Sequence, residues 1–175
     1  MKKYLEYLGK DKYGHIYYFL DISKDSFIHF TTSLRASQII QNKKLLLDSP
    51  YQKFGPYGVF AVSLIYGSHI PGVSLDHVEK WSKKEGSDVV AIEFKTNTIP
   101  KHVGTIDEVS WGEQNVDLIN PKIISKEEAD SKINQAPDKI DDPEMVVYDK
   151  NLIPRLELID NKKLAYQVIY RYFNL

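Results

Sequence analysis

Three short clusters carry residue types and spacings that could do chemistry. The first is Phe27-Ile28-His29-Phe30-Thr31-Thr32, an imidazole set among bulky apolar residues and followed by two hydroxyls. A histidine there offers two ring nitrogens that can take different hydrogen-bonding roles. The second is Phe54-Gly55-Pro56-Tyr57-Gly58-Val59-Phe60-Ala61-Val62-Ser63, a Gly-rich entry into an apolar run. The aromatic rings of Tyr57 and Phe60 can stack on a flat group. The third is Asp107-Glu108-Val109-Ser110-Trp111, a carboxylate leading into an alternating segment. Taken singly, each also serves a fold: a satisfied histidine in a strand, a turn before a core strand, a solvated strand end.

These clusters need elements to hold them. Tyr-rich runs on either side of Gly9-Lys10-Asp11-Lys12 predict a β-hairpin over the first 20 residues. Residues 26–30 read as a strand, and Thr32 or Ser33 can cap a helix running to about Asn42. Residues 58–63 read as a second strand. Ser74 can cap a helix with Leu75, Val78 and Trp81 on one face, closed by Gly86. Residues 88–94 form a nearly continuous apolar strand. Residues 107–111 and 115–119 read as a last pair of strands around Gly112. Ser125-Lys126-Glu127-Glu128 is a capping box that opens a helix to about Gln135. Residues 136–144 read as a loop, and Leu164, Val168 and Ile169 give the tail helical spacing. In the third cluster, alternation puts Val109 and Trp111 on one face and Glu108 and Ser110 on the other. Two large apolar residues should pack inward, which leaves Glu108 on a polar face.

Composition narrows the chemistry. The chain has 175 residues and no cysteine, which excludes a disulfide scaffold, a thiolate zinc site, an iron–sulfur cluster and a cysteine nucleophile. Its length predicts a single domain over 1–175 of α+β class. Charge is balanced, with 23 Lys+Arg against 24 Asp+Glu, so no general pull towards nucleic acid is expected. His15, His29, His69, His77 and His102 show no metal-ligand spacing, and no metal is expected. Dinucleotide-fold, Walker, zincin, EF-hand and nucleophile-elbow motifs are absent. No run is long and apolar enough to span a membrane, and the N-terminal residues lack the apolar stretch of a signal peptide. These features read as a cytoplasmic protein without a membrane role.

The order of the clusters resembles the ADP-ribosyltransferase superfamily, in particular its His–Tyr–Glu branch and its small bacterial toxin and DNA-modifying members. The likeness covers roughly residues 27–125 and rests on four features in order. These are His29-Phe30-Thr31-Thr32, a helix containing Ala36-Ser37-Gln38-Ile39-Ile40 and leading to Leu45, then Gly58-Val59-Phe60-Ala61, and a late strand entered by Glu108. One position departs from the pattern: Phe60 stands where the branch usually has Tyr. The resemblance implies two packed β-sheets around an NAD cleft with flanking helices, and a mono-ADP-ribosyltransferase of toxin, effector or phage-defence type.

It also implies roles. Glu108 would be the catalytic carboxylate, steadying an oxocarbenium-like state as in glycoside cleavage. His29 would hydrogen-bond a ribose hydroxyl, and the main chain at Phe30 would clasp the carboxamide. Thr31 and Thr32 would hold the adenosine ribose. Phe60, with Tyr57, would sandwich the nicotinamide, and Ser63 closes the same binding segment. NAD would serve as co-substrate, with a protein or nucleic-acid acceptor and an antitoxin or immunity protein as partners. Two other classes compete. An RNA 2′-phosphotransferase would share the fold but needs several arginines, and the chain has only Arg35, Arg155 and Arg171. A non-catalytic NAD- or ADP-ribose-binding module would keep the fold with a degenerate site.

Overall fold

A computed structural model describes residues 2–46, 59–67, 73–100, 109–112, 114–140, 144–156 and 158. The expected hairpin forms: strand β1 (Glu6–Lys10) pairs antiparallel with β2 (Ile16–Phe19). Asp11 organises its turn by accepting from the main-chain N–H groups of Tyr13 and His15 at 2.8 and 3.0 Å. Gly14 takes a φ of 89° there, a region open to a residue without Cβ. After a 3-10 turn at Ile22–Lys24 comes β3 (Phe27–Thr32), then helix α1 (Ser33–Asn42). Thr32 is the N-cap, accepting from the Arg35 N–H as capping chemistry predicts.

The remaining elements are β4 (Lys44–Leu45), β5 (Phe60–Ser63), α2 (Val73–Glu85), β6 (Val89–Lys95), β7 (Val109–Ser110), β8 (Val116–Asp117), β9 (Ile119–Ser125), α3 (Lys126–Asn134) and β10 (Glu144–Val147). A 3-10 helix follows at Lys150–Arg155. A five-stranded sheet runs β7-β5-β3-β6-β9, a three-stranded sheet β1-β2-β10, and β4 and β8 form a two-stranded ribbon. The five-stranded sheet is antiparallel throughout, whereas β10 lies parallel to β2. The class is α+β, with two sheets and three helices as the main parts among the described residues.

Alternation along β3 divides the interior. Phe27 meets Ile92, Phe94, Val109 and Trp111 on one face, together with Tyr18, Leu20, Val146 and Tyr148 from the three-stranded side and Ala36 of α1. Ile28 and Phe30 point the other way, to Val62, Ala91, Ile124, Leu75 and Val78 of α2, and Ala129 of α3. The large sheet is therefore covered on both faces, which explains why β3 and β6 read as continuous apolar runs. The outer face of the small sheet packs Tyr17 and Val147 against Leu152 and Leu156.

Four expectations need correction or lie elsewhere. Helix α2 begins at Val73, so Ser74 is within it and not its cap. The strands flanking Gly112 do not pair with each other: β7 joins β5, and β8 joins β4. Their partners are far apart in sequence, and nothing local distinguishes these pairings from a hairpin. Three strands go beyond the sequence reading: β4, a two-residue strand after α1 defined by its pairing with β8, and with it β9 and β10. β9 contains Pro121, which an edge strand tolerates because one side of its backbone has no ladder to fill. β10 is four residues at the end of the expected loop, defined by its pairing with β2. The helical spacing at Leu164, Val168 and Ile169 lies outside the described residues.

Candidate functional site

The site is built on an interrupted ladder. β3 pairs with β6 over its full length, from Phe27↔Phe94 to Thr32↔Val89. With β5 it pairs only at Phe27↔Ser63 and Ile28↔Val62. In an antiparallel ladder, successive residues turn their N–H and C=O to opposite neighbours. Leu64 N donates to Ser26 O and Ser33 N donates to Asp88 O, each at 2.8 Å. Even-numbered residues of β3 therefore address β5, and odd-numbered ones address β6. The next hydrogen-bonded pair would be Phe30 opposite Phe60.

That pair is replaced by a side chain. The Phe60 carbonyl accepts from His29 Nδ1 at 2.7 Å. A carbonyl can only accept, so Nδ1 carries the ring proton, and in the neutral ring Nε2 keeps a lone pair. Burial pulls the His29 pKa below its ordinary value, outweighing the Phe60 carbonyl, which raises it. The ring is neutral at neutral pH. Nε2 makes no hydrogen bond among the described residues. The main-chain N–H of Phe30 faces the gap with no ladder partner among them.

Around this gap the expected site residues divide. His29 and Thr31 share the face of Phe27 and Ile92, where Thr31 is buried. The Phe30 side chain is buried against α2 and α3, leaving its main chain as the part that can act. Alternation puts the Phe60 ring on the face of Val62, opposite His29, so the two side chains flank the gap from its two faces. Across β5, Phe60 is paired with Ser110, and Val109 and Trp111 are fully buried as alternation predicted. Tyr57 and Glu108 lie outside the described residues.

Thr32 and Ser63 have structural engagements. Thr32 Oγ1 donates to Glu85 Oε2 at 2.8 Å, while Arg35 reaches Glu85 Oε1 through Nε at 2.9 Å and Nη2 at 2.7 Å. Arg35 also lies 4.7 Å from the Trp81 ring centre. For Glu85, burial would raise the pKa, but hydrogen bonds from Arg35 and Thr32 prevail and lower it. Ser63 is fully buried, and its hydroxyl donates to Asp25 Oδ2 at 2.8 Å.

Asp25 was not visible as a candidate in the sequence. It is wholly buried, and its carboxylate also accepts from Tyr148 OH and the Ser26 N–H, both at 2.8 Å. Burial pushes its pKa up to about 6, against the lowering effect of Ser63, Tyr148 and the main-chain donors. Burial likewise raises the Tyr66 and Tyr148 hydroxyls. The Asp25 partners Ser63 and Tyr148 lie 38 and 123 residues away, beyond any local signal. Among the described residues no cluster of three His, Asp or Glu could hold a metal, and no helix is long and apolar enough to cross a membrane.

No protein-family model, curated protein or solved structure matches this chain.

Proposed function

We propose that the chain is an NAD-dependent mono-ADP-ribosyltransferase acting on a macromolecular acceptor. The observation that carries the reading is the interrupted β3–β5 ladder at Phe30 and Phe60, with His29 fixed in the Nδ1–H tautomer beside it. A primary carboxamide has a donor and an acceptor side by side, as a strand does. Docked against the Phe30 main chain, it takes the place of the missing ladder pair. His29 Nε2 then accepts from a ribose hydroxyl on one side, and the Phe60 ring packs on the nicotinamide from the other.

The chemistry asks little else of the protein. The bond between ribose C1′ and the nicotinamide nitrogen breaks, and its electron pair leaves with neutral nicotinamide. The nucleophile of the acceptor forms the new bond to C1′ and gives up its proton. Positive charge builds on the ribose between these events, and a fixed carboxylate, assigned to Glu108, stabilises it. The origin as toxin, effector or phage-defence component belongs to the same proposal. Incubation with NAD and a lysate tests it: nicotinamide release with an ADP-ribose adduct on protein or nucleic acid is the expected result. Saturable NAD binding without release would instead make this a binding module, and no binding would remove the reading.

A further inference from the structure

The two-pair β3–β5 ladder is bracketed by side-chain rungs. At one end His29 bonds the Phe60 carbonyl, and at the other Asp25, just before β3, bonds Ser63 at the end of β5. Ser63 Oγ also accepts from the N–H groups of Ile65 and Tyr66 at 3.1 and 3.4 Å, fixing the chain that leaves β5. Tyr148, just past β10 of the other sheet, donates to the same Asp25 oxygen and lies 3.2 Å from the Tyr66 hydroxyl. We propose that Asp25 is a positioning residue whose protonation sets the spacing of β3 and β5, and through it the His29–Phe60 contact.

The argument is geometric. A carboxylate at zero exposure accepts from Ser63, Tyr148 and the Ser26 N–H, with the Ile65 N–H also turned towards it, and among the described residues no cation reaches its oxygens. The groups facing it are Ser63 from β5, Tyr66 after β5 and Tyr148 after β10. From β6, Lys95 Nζ contacts the Asp25 carbonyl oxygen at 3.0 Å and not the carboxylate. Protonated, Asp25 is a neutral group that can also donate to one of these hydroxyls. Ionised, it needs every donor and brings uncompensated charge into the interior. Only two main-chain pairs separate this group from the gap, so little ladder exists to absorb a shift. The inference adds regulation to the proposed NAD site, but the coupling can be read without NAD.

NMR on the full-length labelled chain between pH 4.5 and 8 tests it, following the Asp25 carboxyl carbon, the Phe60 carbonyl carbon and the His29 ring nitrogens. In wild type, the Phe60 and His29 signals should show a step that tracks Asp25, centred near pH 6. In Asp25→Asn that step should vanish from both the Phe60 and the His29 signals. Tyr148→Phe removes a donor that favours the carboxylate, so the step should move to higher pH at all three positions. It also serves if Asp25→Asn does not fold. Asp25 titrating with Phe60 and His29 unmoved would overturn the proposal, as would a Phe60 step unchanged by either variant. Loss of NAD binding with the coupling intact would count against the NAD site alone.

Discussion

The imidazole of His29 holds the carbonyl of Phe60 at 2.7 Å, in the place where the Phe30 N–H would otherwise continue the ladder. One side chain thus keeps two strands apart, fixes its own tautomer and frees a main-chain donor. His29→Ala should let the strands close and return the Phe30 N–H to the ladder. NAD affinity should fall by about 1–3 kcal/mol, the range for a lost hydrogen bond to a positioned group, with a smaller effect on folding. Released from the histidine, Phe60 can accept from Phe30, so amide exchange at Phe30 should slow in the variant. Unchanged exchange at Phe30 would show that the imidazole is not what interrupts the ladder.

Phe60 acts through its main chain on His29 and through its ring on the opposite face. Phe60→Tyr should preserve nicotinamide release. Phe60→Ala should keep the His29 contact, yet weaken NAD binding by about 1–3 kcal/mol if the ring stacks on the base. Equal affinities in calorimetric titrations of wild type and a folded Ala variant would remove the ring from the site.

Glu108 is assigned from the sequence, by its place before the inward-facing Val109 and Trp111. Glu108→Gln should abolish nicotinamide release while NAD binding is largely kept, and Glu113→Gln, at the next carboxylate along the chain, directly after Gly112, should cost little. The opposite pattern in a release assay would move the catalytic carboxylate past Gly112.

Thr32 joins the start of α1 to the end of α2 through Glu85. Thr32→Ala should lower unfolding free energy by about 1–2 kcal/mol, as for a lost N-cap with a charge-assisted hydrogen bond. Chemical denaturation measures this directly. A stable variant with tenfold weaker NAD binding would place the hydroxyl on the ribose instead.

Asp25 makes stability depend on pH. Below its ordinary value of 3.8 the carboxyl is protonated whether the chain is folded or not, and its full contribution is present. Between there and about 6 only the folded chain keeps the proton, so raising the pH favours unfolding. The loss should be on the order of 3 kcal/mol and complete by about pH 7. Urea midpoints across pH 4–7 should show that slope in wild type and lose it in Asp25→Asn.

What the sequence determined by itself is local. The first hairpin, a cap at Thr32 or Ser33, the Ser125 cap, the inward Val109 and Trp111, and the β3 and β6 runs follow from alternation, side-chain size and capping chemistry over a few residues. The α+β class follows from the mixture of those elements. Tertiary structure decided whatever depends on distant partners: β7 joining β5, β8 joining β4, and β10 lying parallel to β2. The same holds for the candidate site. A histidine amid apolar residues was legible at position 29, but not that its ring would displace a main-chain hydrogen bond 31 residues away. Asp25 and Tyr148 carry no local pattern, and Ser63 was legible only as the end of the Gly-rich segment, not as a partner of Asp25. Burial, with no cation among the described residues reaching the carboxylate, makes them a unit, and the packing of two sheets creates that environment.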